Sequence, residues 1–119
     1  MRDYIKNPSG IEISVMTFRP LLIFPWTSSI WRQFPFKTAI ATVMFKDKTA
    51  AQRGHRELVE LLKNVKVGPK MRELFEAVEQ YAKDNEELVR SYRIYPGHKV
   101  EGKVAVEISE KRIPEKRIH

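Results

Sequence analysis

PLLIFPWTSSIWRQFPF, residues 20–36, is the stretch on which the reading of this chain turns. Its first part, residues 20–31, holds no charge, yet the 119-residue protein has a formal net charge of +7. The segment carries both tryptophans, Trp26 and Trp31, together with Phe24, Phe34 and Phe36, and it is broken by Pro20, Pro25 and Pro35. Each proline removes a backbone donor and restrains the residue before it, so neither a long helix nor a central strand is expected through residues 19–37. The segment therefore reads as an extended aromatic arm. Such an arm has three uses: closing over the protein's own core, docking on another protein or a second copy through Phe24, Trp26, Trp31, Arg32, Phe34 and Phe36, or stacking on unpaired bases while Arg19, Arg32 and Lys37 hold phosphates.

The flanks are ordinary folded sequence. Before the arm, Ile11, Ile13 and Val15 alternate with Glu12, Ser14 and Met16, the period of a half-buried strand, and Asn7-Pro8-Ser9-Gly10 ahead of them is a turn. After it, TAIATVMFK (residues 38–46) is β-branched and apolar on both parities, as a strand covered on both faces would be. Thr49 and Gln52 have capping-box spacing, which predicts a helix start. Ala51, His55, Leu58, Leu62 and Val65 then make one apolar stripe. Gly68-Pro69 ends that helix and begins a second, with Met71, Leu74, Phe75, Val78, Tyr81 and Ala82 as its buried side. A bend is expected near residues 84–87. Strands follow over 91–95 and 103–108, joined by a Pro96-Gly97 turn.

The expected fold is thus α+β in two layers: a mainly antiparallel sheet of about four strands, in the order β-β-α-α-β-β, with two helices on one face. Length suits a single domain over 1–119. Within it, a first strand region (1–18), the aromatic arm (19–37), an α+β body (38–109) and a charged, exposed tail (110–119) are distinguished.

Charge is unevenly placed. Residues 1–72 carry thirteen Lys and Arg against five Asp and Glu, and residues 73–119 carry nine against ten. The basic stretch is densest at Lys46, Lys48, Arg53, Arg56, Lys63, Lys66, Lys70 and Arg72, directly before the acidic run of residues 73–87. A basic lobe beside an acidic helix would orient the protein on a polyanion. The plain alternative is helix support, since Arg53 and Glu57, Arg56 and Glu60, Arg72 and Glu76, and Glu79 and Lys83 all sit at i, i+4.

Several chemistries are excluded or weakened. There is no cysteine, which removes disulfides, thiolate metal sites and cysteine nucleophiles. His55, His98 and His119 stand at no metal-ligand spacing, so neither a metal nor a cofactor is expected, and His55 on the helical stripe reads as a packed, hydrogen-bonded side chain. Gly68-Pro69-Lys70 lacks the remainder of a phosphate loop. The sole candidate catalytic cluster, Glu101, Lys103 and Glu107, would suit a small metal-dependent nuclease. No secretory leader or spanning segment is seen, which points to an intracellular, cytoplasmic protein. Scarce Asn and Gln beside abundant Lys, Arg and Glu resemble thermophile composition.

The function expected from sequence is a non-catalytic nucleic-acid-binding subunit, RNA-associated, of a larger assembly. Residues 46–72 face phosphate in this reading, and the arm docks on a neighbour. A protein-interaction or structural subunit, or an obligate oligomer, is the alternative; the nuclease is a distant third.

Overall fold

The computed structural model describes residues 1–34, 37–95 and 109–112. In chain order they form β1 (Arg2–Lys6), β2 (Glu12–Phe18), β3 (Thr27–Phe34), β4 (Thr38–Phe45), α1 (Lys48–Asn64), α2 (Arg72–Asp84), β5 (Val89–Ile94) and β6 (Ser109–Arg112). All pairings are antiparallel, and the strands lie in the sheet in the order in which they occur in the chain. The α+β class and the open antiparallel sheet with two helices follow the sequence reading. The strand count and element order do not: there are six described strands, not four, and four of them precede the helices.

Two of the extra strands come from segments read otherwise. Arg2–Lys6 is polar apart from Tyr4 and Ile5, so no apolar period marks it; register pairs it with β2 from Arg2↔Met16 to Lys6↔Glu12. The aromatic arm is the larger correction. Its second half is β3, an interior strand paired with both β2 and β4. Pro25 and Pro35 bracket this strand instead of interrupting it, leaving every residue between them able to donate to a ladder. Its alternation was masked by polarity, because the inward side chains include Ser28 and Ile30, both 0% exposed. The fully buried serine is possible because Thr17 Oγ1 lies within hydrogen-bonding reach of Ser28 Oγ. Further along, β5 starts two residues earlier than the predicted 91, and β6 occupies 109–112, where the sequence suggested the start of a free tail. The Pro96-Gly97 turn, the strand expected at 103–108 and Phe36 lie outside the described residues.

Both helices pack on one face of the sheet, α1 over β1 to β4 and α2 over β4 and β5. That face supplies Ile13, Val15, Ile30, Val43 and Phe45, and the helices supply Leu58, Leu62, Leu74 and Val78, all of them fully buried. Burying one such side chain stabilises the fold by ~1.5–3 kcal/mol. Gly54 shows how close the layers are. A Cβ placed there would sit 2.2 Å from Cε1 of Phe45, so glycine is needed for the helix backbone to rest on the ring.

Helix boundaries also differ from the predicted ones. Asp47, not Thr49, caps α1: its carboxylate accepts from the Ala50 amide at 2.8 Å. α1 ends at Asn64, where Val65 turns extended at φ −82° and ψ 138°, so it stops before Gly68 and Pro69 are reached; α2 begins only at Arg72, after Met71 at φ 59°, a left-handed conformation. The Glu73 carboxylate reaches back to the Gly68 amide at 2.9 Å, which closes this connection. Asn7 ties the β1–β2 turn to the end of α1, donating from Nδ2 to the Val65 carbonyl while Oδ1 accepts from the Ser9 and Ile11 amides. Among the described residues no helix is long and apolar enough to cross a membrane.

Candidate functional site

Where the β2–β3 connection meets the β4–α1 turn, the end of the sheet opens into a cavity of about 490 Å³. Its walls are Arg19, Ile23, Phe24, Pro25 and Trp26 from the first segment, Lys46, Asp47 and Lys48 from the second, and Arg90 from β5. The loop is shaped by its own polar groups. Arg19 donates from Nη2 to the Leu22 carbonyl at 2.6 Å and from Nε to the Phe24 carbonyl at 3.3 Å, and the Phe24 amide turns back to Leu21. Trp26 is anchored by its carbonyl, which accepts from the Phe45 amide at 2.8 Å. On the far wall the Lys46 amide bonds the Leu88 carbonyl, so β4 and the start of β5 are held side by side and Arg90 is brought near Lys46.

The electrostatics favour an anion with an apolar, flat part. Arg19, Lys46, Lys48 and Arg90 are all exposed and stand against one carboxylate, Asp47, whose charge already faces the amides of α1. Lys48 Nζ lies 5.9 Å from the centre of the Trp26 ring, a cation–π distance. Beyond the cleft the loop tip is bare: Leu21, Leu22, Ile23 and Phe24 are 58%, 80%, 83% and 47% exposed.

The sequence-predicted residues are thus only partly brought together. Lys46 and Lys48 join Phe24 and Trp26 at the cleft, while the rest of the basic stretch lies along the helices and their connection. Arg53 is turned to Glu57 at 2.9 Å and Lys83 lies 3.7 Å from Glu79, two of the pairs that the helix-support alternative named, and Lys63 lies 3.9 Å from Glu60. Arg56, Lys66, Lys70 and Arg72 are exposed along α1, its connection and the first turn of α2. Trp31 lies on the opposite sheet face from the helices, with Lys37 Nζ 5.5 Å from its ring. Arg32 points to the helix side, where it donates to Thr38 Oγ1 at 3.1 Å and to the Met71 sulfur at 2.9 Å, so it is structural. Phe34 ends β3. Sequence reasoning missed Arg90, which falls in the half of the chain without excess charge; only the β4–β5 pairing, Phe45↔Val89, reveals its place.

A second polar group is buried instead of open. His55 lies between Thr17 Oγ1, 2.6 Å from Nδ1, and Asp3 Oδ2, 2.7 Å from Nε2, and Thr17 continues to Ser28. The order carboxylate, imidazole, hydroxyl has the form of a nucleophile relay. Thr17 and Ser28 are 1% and 0% exposed, however, so no substrate reaches either hydroxyl. The chain joins β1, β2, β3 and α1, and His55 is the packed, hydrogen-bonded residue its position on the stripe predicted. Among the described residues no group of three His, Asp or Glu could hold a metal ion. Glu101, Lys103 and Glu107 lie outside them.

Between the helices, Glu57 accepts from Tyr81 Oη at 2.6 Å and from Arg53. Burial raises the Tyr81 phenol well above its ordinary value, and the hydrogen bond to Glu57 adds to it. Burial works against the Glu57 carboxylate as well, but the hydrogen bonds from Tyr81 and Arg53 outweigh it and hold Glu57 below the usual range. No family model, curated protein or solved structure matches the chain.

Proposed function

We propose that the protein is a non-catalytic nucleic-acid-binding subunit, RNA-associated, and that the cleft between the β2–β3 loop and the start of α1 is where it binds. The observation that carries this reading is the convergence of Arg19, Lys46, Lys48 and Arg90 around Trp26 and Phe24. Four exposed cations suit phosphates, and an aromatic face beside them suits a base, a pairing that sequence-tolerant strand binders use. The further exposed cations, Arg56, Lys66, Lys70 and Arg72, extend the positive field without ion partners as close as those of Arg53.

Affinity for a short oligoribonucleotide, followed by anisotropy across a salt series, tests this. If all four cations meet phosphate, the log–log slope is about −2.8 for a single strand, and removing Arg90 or Lys46 flattens it by about 0.7 each. A slope indistinguishable from zero would refute the reading.

One observation favours a second reading. Four consecutive exposed apolar side chains, Leu21 to Phe24, do nothing for a phosphate backbone and have the chemistry of a hydrophobic anchor for another protein or a second copy. Sedimentation of the wild type beside a Leu22→Ser, Ile23→Ser variant distinguishes the two, since only the anchor reading expects a change in mass or in partner recovery.

A further inference from the structure

The β2–β3 loop turns on residues that the fold itself does not use. The Phe24 amide donates to the Leu21 carbonyl at 3.0 Å, which puts Leu22 and Ile23 at the apex of a tight turn. Turn apices ordinarily take Gly, Pro, Asn or Asp, for backbone reasons. Here they are large aliphatic side chains, 80% and 83% exposed, so burial in the core does not account for them. We propose that this tip inserts into the surface of an anionic phospholipid bilayer, with the cations at its base on the headgroup phosphates. The proposal goes beyond the nucleic-acid reading of the cleft and does not depend on it.

The backbone of the tip is suited to leaving water, where every unpaired amide or carbonyl is costly. The Leu21 carbonyl accepts from Phe24, and the Leu22 and Phe24 carbonyls accept from Arg19 at 2.6 and 3.3 Å. Pro20 and Pro25, on either side, have no amide proton, and residues 20–31 carry no charge. Trp26 follows, half-buried, with Lys48 Nζ 5.9 Å from its ring. An indole beside an ammonium is the pairing that membrane proteins place at the headgroup boundary.

Charge selects the occupant. Arg19, Lys46, Lys48 and Arg90, all exposed, share one cavity wall with Ile23, Phe24 and Trp26, against Asp47 alone. Lysines beside an apolar tip match anionic headgroups, whereas the core of a protein interface is depleted in lysine. A second copy is disfavoured on the same ground, since a two-fold contact between tips would bring the same four cations face to face.

The test is co-sedimentation of the full chain with vesicles of phosphatidylcholine containing about 30% phosphatidylserine. Binding is expected, and should be weaker by about tenfold or more on phosphatidylcholine alone. The Leu22→Ser, Ile23→Ser variant should lose about tenfold or more of the binding to anionic vesicles, while its oligoribonucleotide affinity stays within about twofold of wild type. Ile23→Trp keeps the tip apolar, so it should bind as wild type does, and the added indole should shift to the blue and be quenched by brominated acyl chains.

Vesicle binding that the serine variant retains in full would reduce the contact to charge alone and overturn insertion. Absence of binding to the anionic vesicles overturns it as well. So does a wild-type dimer that the serine substitutions convert to a monomer, since a second copy would then cover the tip. None of these outcomes touches the cleft reading, whose salt dependence is measured on oligoribonucleotide without lipid.

Discussion

Replacing Gly54 with alanine should destabilise the protein by about 1–2 kcal/mol, even though the same change in an exposed helix is favourable by about 1 kcal/mol. The added methyl would lie 2.2 and 2.3 Å from Cε1 and Cζ of Phe45. Ordinary carbon contacts are ~3.5–4.0 Å, so ring or helix must give by more than an ångström. Neither moves freely: Phe45 is 0% exposed, and its backbone is paired to Trp26 on one side and Val89 on the other. Overpacking of this kind costs about 1–3 kcal/mol, which exceeds the gain in helix propensity. Thermal unfolding followed by far-ultraviolet circular dichroism would show a midpoint lowered by roughly 4–8 °C per kcal/mol. Phe45→Leu should rescue the substitution in part, with the double variant more stable than the sum of the single losses predicts. A higher midpoint for Gly54→Ala than for wild type would refute the close approach of α1 to β4.

Three other outcomes are expected. Thr17→Val, nearly isosteric, strands both His55 Nδ1 and Ser28 Oγ in the interior and should cost about 1–3 kcal/mol by urea titration; Asp3→Ala, at the exposed end of the same chain, should cost less than about 1 kcal/mol, and the reverse order would be inconsistent with a buried relay. Tyr81→Phe should flatten the pH dependence of stability at both ends. The raised Tyr81 phenol contributes stability that is full below about pH 10 and lost as pH climbs through its folded value. The lowered Glu57 carboxylate contributes stability present above its ordinary value near 4.5 and lost as pH falls through its folded one. Urea unfolding at a series of pH values checks both limbs; a variant as steep as wild type would contradict the Tyr81–Glu57 link. Asp47→Ala removes the α1 cap at a cost of about 1 kcal/mol, yet should tighten oligoribonucleotide binding because it deletes the cleft's carboxylate. Loss of both stability and affinity would argue against the cleft.

How much of this was legible in the sequence depends on how each element hides its side chains. The helical stripes through Leu58 and Leu62, and through Leu74 and Val78, were readable because amphipathic helices announce themselves at spacings of three and four. β4 was readable because it is apolar on both parities. β3 was not, because its inward positions include a serine and an arginine whose polar groups find partners only after folding: Ser28 with Thr17, Arg32 with Thr38 and Met71. β1 failed for a different reason, being an edge strand whose two apolar residues, Tyr4 and Ile5, are adjacent and so make no period of two. The site was half legible. Lys46, Lys48 and the aromatic loop were each visible as composition, but their meeting depends on the β3–β4 hairpin, and Arg90 is delivered by a pairing across residues 46–88.

That long span sets a timetable. Every other described pairing except β5–β6 joins strands separated by a short turn or loop, so the β1–β4 meander can zip without waiting for distant chain, whereas β5 must return after two helices have been laid down. Sequence separation therefore predicts that three walls of the cleft, bearing Arg19, Trp26 and Lys46, form early and that the wall bearing Arg90 docks after them. In native-state hydrogen exchange the β5 amides should open at lower free energy than those of β2 and β3. A polyanion that grips Arg90 would then act as a clasp on the latest-docking strand, so that ligand occupancy slows the first step of unfolding.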